Sequence, residues 1–178
     1  MPKPDRGAGE SVRVHLLRHA HAGDRFHWIG DDDLRPLTSK GRGQSERLGA
    51  FLAERGVRPD VIVTSPKVRA AQTAEIVAAR LDMTVRVDPR LGEGLSQRDL
   101  WSLLDELGAR EPLLVGHDPD LSNLLCYLID CAGLSLKKGT LATVDLRTKL
   151  GDGEGQLVWL IPPELLADGT RDEPASED

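Results

Sequence analysis

Three short stretches, far apart along the 178 residues, place a cation or an imidazole just where an apolar run stops. Val12-Arg13-Val14-His15-Leu16-Leu17 gives way to Arg18-His19, and Asp60-Val61-Ile62-Val63-Thr64 gives way to Ser65-Pro66 with Arg69 shortly after. Pro112-Leu113-Leu114-Val115 gives way to Gly116-His117. The alternating and short continuous apolar runs read as strands. In an open α/β sheet, ligands gather outside the carboxyl ends of the strands. If these strands are parallel, Arg18, His19, Arg69 and His117 share one edge of the sheet. Two guanidiniums and two imidazoles with no evident counter-charge repel one another unless an anion lies among them. A phosphate group fits, because the planar guanidinium fork bonds two of its oxygens at once. A helix N-terminus nearby adds partial positive charge.

The rest of the chain supplies the elements that must hold these groups in place. A polar loop over 23–36 carries Asp31-Asp32-Asp33 and leads to a helix capped by Thr38 or Ser39, with Leu48, Phe51 and Leu52 as its apolar face. Gly56 suits its end. Ser65 as cap and Pro66 in the first turn open a second helix with Ala70, Ala74, Val77 and Leu81 at helical spacing. A third strand over 84–87 precedes a loop with Glu93, then a helix whose Ser96 and Asp99 form a capping box and which Gly108 ends. Asp118-Pro119 starts a helix presenting Leu121, Leu124, Leu125 and Leu128. Two late strands, around Leu141–Leu146 and Gln156–Ile161, flank a Gly151-to-Gly155 turn and read as a hairpin. The expected fold is α/β: a mainly parallel central sheet with helices on both faces and an antiparallel C-terminal edge hairpin. It occupies residues 12–166, between a disordered N-terminal tail over 1–11 and a disordered acidic tail over 167–178.

Composition narrows the partners. With 23 basic against 29 acidic residues and a formal net charge of −6, the chain offers no basic excess for a nucleic-acid backbone. The first eleven residues have no apolar core segment and do not read as a secretory signal. No run approaches the length of a membrane span, so no membrane partner is expected and the cytoplasm is the expected compartment. Cys126 and Cys131 lie on different faces if their stretch is helical, and read as free thiols in a reducing cytosol. Neither begins a Cys-x5-Arg phosphatase loop.

Leu17-Arg18-His19-Ala20, Thr64-Ser65-Pro66-Lys67-Val68-Arg69-Ala70-Ala71-Gln72-Thr73-Ala74 and Val115-Gly116-His117-Asp118 resemble the three signatures of the histidine phosphatase superfamily. Leu37-Thr38-Ser39-Lys40-Gly41 resembles a fourth, weaker element. The resemblance runs from about Val12 to Leu146, is nearest to the small SixA-type phosphohistidine phosphatases, and implies the phosphoglycerate-mutase-like fold. It implies that His19 attacks phosphorus, that Arg18, Arg69 and His117 surround the phosphoryl oxygens, and that neither a cofactor nor a metal is required. The expected substrate is protein phosphohistidine, for example on a histidine-phosphotransfer domain, with a small phosphomonoester as the alternative. Three departures stand out. Ala20 replaces the usual glycine, Ala22 and Arg25 stand where the mutase branch has Ser and Asn, and only 48 positions separate Arg69 from His117, too few for a helical cap. Glu93 is the candidate leaving-group acid, with Asp118 behind it.

Other residues take blander readings. His15 alternates with its apolar neighbours and reads as structural. His21 forms His-x-His with His19 and, with Asp31–Asp33 and His117, sketches a metal-dependent hydrolase as the rival enzyme. Otherwise the three aspartates are a solvated loop. Trp28, Trp101 and Trp159 read as packing. A phospho-group binding or regulatory module with little turnover is the rival of a different class.

Overall fold

A computed structural model describes residues 11–147 and 154–166. Both expected tails, apart from Ser11, and the centre of the glycine-rich turn lie outside the described residues. Six strands form one sheet: β1 (Ser11–Arg18), β2 (Val61–Thr64), β3 (Val85–Val87), β4 (Pro112–Gly116), β5 (Leu141–Arg147) and β6 (Gln156–Ile161), in the order β3-β2-β4-β1-β5-β6. The first four strands in that order run parallel, whereas β5 is antiparallel to both β1 and β6. The sheet is therefore the expected one, with its antiparallel pair at one edge.

Four α-helices cover the two faces: α1 (Ser39–Glu54), α2 (Val68–Leu81), α3 (Gln97–Leu107) and α4 (Asp120–Ile129). On one face Leu48 and Leu52 of α1 and Ala70, Ala74 and Val77 of α2 pack on Leu17, Ile62, Leu113 and Val115. On the other, Leu100, Leu103 and Leu104 of α3 and Leu121, Leu124 and Leu125 of α4 pack on Val14, Leu16, Val63 and Leu114. Leu16 and Leu17 are both fully buried, on opposite faces, which is why the central strands read as nearly continuous apolar runs. His15 is buried too, its ring nitrogens bonded to Thr143 Oγ1 (2.8 Å) and Glu111 Oε1 (3.0 Å), a structural role. Among the described residues, no helix is long and apolar enough to cross a membrane.

Local expectations hold where capping chemistry is explicit. Thr38 caps α1 by accepting from Gly41 N, and Ser96 and Asp99 form the capping box of α3. They fail where a side chain has other work. Helix α2 starts at Val68, two residues later than Ser65-Pro66 predicts, although the Ser65 hydroxyl accepts from Lys67 N (3.2 Å) as a cap would and also bonds His117 Nε2. Helix α4 starts at Asp120, and Asp118 bonds Ser122 rather than capping a backbone amide. The two cysteines are not on opposite faces. Asp130 adopts a left-handed conformation that ends α4 and folds the chain back, so Cys131 Sγ lies 3.3 Å from Cys126 Sγ, both thiols free. Trp101 packs against the α3/α4 core and Trp159 meets Phe51 edge-on, but Trp28 is partly exposed and braces its own loop through Asp31 O.

Gly41 explains why the Leu37-to-Gly41 stretch matters. A Cβ at this position would fall inside contact distance of the His21 carbonyl, which also accepts from Thr38 N (3.1 Å) and Thr38 Oγ1 (3.2 Å). The first turn of α1 thus clamps the chain just past His19. Gly41→Ala is expected to lose about 1–3 kcal/mol of stability by overpacking, whereas Gly43→Ala, which meets only the flexible end of Arg47, should be neutral or gain up to about 1 kcal/mol from helix propensity. Urea unfolding midpoints of the two variants distinguish these outcomes.

Candidate active site

The carboxyl edge of the parallel strands is stitched together by the backbone. Arg18 pairs with Gly116 and Thr64 with Val115 in the sheet, and just beyond it His19 N donates to Gly116 O (3.0 Å) and Ser65 N to Val115 O (3.0 Å). The motif residues around Arg69 fasten the loops: Thr73 Oγ1 accepts from Ala20 N (3.1 Å) and Gln72 Oε1 from Leu37 N (2.9 Å). Ala20 takes an ordinary backbone conformation, and its methyl packs with Ala22 and Leu37, so replacing glycine here leaves the His19 backbone in place.

Arg18, His19, Arg69, His117 and Glu93 all line one open cavity of about 750 Å³. The His19 and His117 rings lie with centroids 5.2 Å apart. His19 Nδ1 sits 2.8 Å from the Ala20 carbonyl oxygen. A carbonyl only accepts, so Nδ1 carries the proton and Nε2 keeps its lone pair. Burial pushes the His19 imidazole down to about 2, and the adjacent His117, Arg69 and Arg18 charges act in the same direction against the Ala20 hydrogen bond. Burial, then Arg69 and Lys67, lowers His117 to about 4. Both rings are therefore neutral near pH 7. His117 Nε2 bonds Ser65 Oγ (2.8 Å), while its Nδ1 and the Nε atoms of Arg18 and Arg69 have no hydrogen-bond partner. Three of the four expected residues thus carry a buried polar atom without a partner, an exception that functional sites tolerate.

The cluster is not without counter-charge, contrary to the sequence reading. Arg69 donates to Asp32 O (2.7 Å) and pairs with its carboxylate (3.1 Å), and Arg35 Nε binds the same carboxylate (2.8 Å). Asp32 and Asp33 are thus not merely a solvated loop. Arg18 donates to Leu136 O (2.5 Å) and lies 3.5 Å from Asp118. Asp118 accepts from Ser122 Oγ, which in turn accepts from Leu136 N (2.9 Å), closing a ring that fixes the Arg18 guanidinium. Arg35 and Lys138 also line the cavity and were not singled out from sequence. Arg35 is buried against the Ala22 and Gly23 carbonyls, and Lys138 donates to Gly23 O (3.2 Å). The Arg35-Pro36-Leu37-Thr38 run, lying directly before the capped helix, was the available hint for Arg35; Lys138 left none.

Two expected roles change. Glu93 lines the cavity, but its carboxylate is held by Lys67, whose hydrogen bond and charge keep it below the usual range. Lys67 is buried between Glu93 and Asp33 (2.8 Å) and ties two rim loops together. His21 Nδ1 bonds Thr38 Oγ1 (2.8 Å), so this imidazole helps clamp the loop after β1.

This geometry can be set beside known proteins. The model of the histidine phosphatase superfamily (branch 1) matches residues 14–106, and the chain belongs to that family. It is a phosphatase of the SixA-like kind. The phosphohistidine phosphatase SixA of Escherichia coli is 29% identical over 158 residues, covering 85% of this chain and 94% of that protein. A solved structure of the protein histidine phosphatase SixA complexed with tungstate superposes with a TM-score of 0.73 at 28% identity, over 88% of this chain and 100% of that one. An 8-oxo-(d)GTP phosphatase of Mycolicibacterium smegmatis is 39% identical over 84 residues, 47% of this chain but 26% of that protein.

The buried neutral imidazoles make stability depend on pH. The unfolded chain protonates these histidines near pH 6.5, the folded chain only well below, so their contribution is present above about pH 6.5 and is lost as pH falls toward their folded values. His117→Asn is expected to flatten the decline between pH 6.5 and 4 by up to about 1.4 kcal/mol per pH unit. Urea unfolding of wild type and variant across that range checks it; parallel curves would contradict it.

Proposed function

We propose that the protein removes phosphoryl groups from histidine side chains of cytoplasmic proteins, without a metal, through a phosphorylated His19. The observation that carries the reading is the His19 imidazole itself: neutral, with Nδ1 spent on Ala20 O and Nε2 free within a cavity lined by Arg18, Arg69 and His117. In the first step Nε2 attacks phosphorus in line while the bond from phosphorus to the substrate nitrogen breaks; the substrate ring, protonated on its other nitrogen, keeps that electron pair and leaves as neutral imidazole. In the second, water attacks phosphorus, the bond to His19 Nε2 breaks, and orthophosphate departs. Arg18 and Arg69 hold permanent charge against the equatorial oxygens in both steps, the electrostatic role that dominates phosphoryl transfer. Because guanidiniums stay protonated, no divalent cation is needed for that stabilisation.

Substrate choice follows from the fate of the leaving group. Glu93 is bound to Lys67 as a carboxylate and suits the second step, taking a proton from the attacking water. A phosphohistidine's imidazole leaves more readily than an alkoxide and makes smaller demands on an acid. Similarity to SixA supports the same substrate class.

His19→Ala is expected to reduce turnover of both para-nitrophenyl phosphate and a phosphorylated histidine-phosphotransfer domain by ~10³-fold or more. Radiolabelled phosphoryl from that domain should be trapped on wild-type protein in an acid-labile, base-stable form and not on the variant. Activity should be unchanged in excess EDTA. Label persisting on the variant, or loss of activity with EDTA, would contradict the scheme.

A further inference from the structure

Four large apolar side chains excluded from the core fall within residues 26–34: Phe26, Trp28, Ile29 and Leu34, exposed by 85%, 37%, 95% and 61%. The loop that carries them is held at several points. Its start is fixed by Arg35 and Lys138 on the Gly23 carbonyl, and its end by Asp32 on Arg69 and Asp33 on Lys67. Trp28 Nε1 donates to Asp31 O (3.0 Å) within it. The apolar exposure is thus built into a braced segment. Exposed apolar side chains gathered in one short braced segment add little to the core and point to an interaction surface.

Position identifies what it meets. Asp24 and Arg25, just before Phe26, and Asp32 and Arg35, on either side of Leu34, line the cavity that holds His19. His19 lies 5% exposed at the floor, whereas Phe26 and Ile29 are almost wholly outside it. A small phosphomonoester seated at the floor leaves residues that far out uncovered. A folded protein that inserts one phosphorylated side chain would lay its surrounding surface on the rim.

We infer that residues 26–34 are a docking lip for the phosphoryl-bearing protein, seating an apolar patch of that protein on Phe26, Ile29 and Leu34 while its phosphorylated side chain enters the cavity. The inference rests on the protein-phosphohistidine reading above and adds where such a substrate is recognised. Because these residues touch none of the reacting atoms, they act on binding of the large substrate alone.

The test compares a Phe26→Ser/Ile29→Ser double variant with wild type on two probes: para-nitrophenyl phosphate, and an isolated histidine-phosphotransfer domain phosphorylated with phosphoramidate. The expected result is a rise in KM for the phosphorylated domain of about tenfold or more, with its kcat and both constants for the aryl phosphate within about twofold. Phe26→Leu/Ile29→Leu, which keeps the apolar surface, should stay near wild type. Unchanged KM for the domain overturns the lip, and so does equal loss on both probes, which would place the loop in small-substrate binding or in folding. If wild type hydrolyses the aryl phosphate but not the phosphorylated domain, the substrate reading fails and the lip falls with it.

Discussion

Strand β4 pairs in parallel with β1 on one side and β2 on the other, and that double pairing is the constraint on which the site depends. Parallel register brings the carboxyl ends of three strands level, so residues separated by about fifty positions in sequence emerge at one edge. The hydrogen bonds from His19 N to Gly116 O and from Ser65 N to Val115 O extend the ladder one step past the sheet. Backbone donors and acceptors must be satisfied wherever they are buried, so these exits are fixed by a requirement independent of catalysis. Arg18, His19, Arg69 and His117 inherit their positions from it.

Electrostatics then decide how the edge is tolerated without a ligand. Bringing Arg18 and Arg69 close to two imidazoles costs free energy unless charge is balanced or removed. Both happen here. The imidazoles remain neutral because burial disfavours their charged forms, and the guanidiniums lean on Asp32 and Asp118. Those carboxylates also orient the guanidiniums, whose buried Nε atoms have no hydrogen-bond partner. The same balance explains a neutral His19 beside two permanent cations: burial depresses its pKa first, and the charges of Arg69 and Arg18 add to that shift.

The sequence displayed the cationic half of this arrangement and hid the acidic half. Arg18, His19, Arg69 and His117 are legible because strand periodicity ends at them and parallel topology does the rest. The pairs Asp32–Arg69, Lys67–Asp33, Lys67–Glu93 and Lys138–Gly23 are not, since their members lie 37, 34, 26 and 115 residues apart and meet only as loops settle against one another. Ser65 shows how a local rule can be incomplete: its hydroxyl makes the cap-type bond to Lys67 N, yet it also bonds His117, a partner that Ser-Pro does not announce. Asp130 likewise turns left-handed without glycine, so the approach of the two cysteines could not be foreseen from their spacing. Gly41, Gln72 and Thr73 were visible only as motif letters; the contacts with the His21 carbonyl, Leu37 N and Ala20 N give those letters a physical reason.

The central claim is that Arg18, Arg69 and the two imidazoles form one oxyanion site. Calorimetric titration of the protein with tungstate at pH 7 tests it most directly. The account predicts saturable binding at a single site, weakened by about tenfold or more in Arg18→Ala and in Arg69→Ala alike. Absence of binding to wild type, or affinities that neither substitution alters, would contradict it.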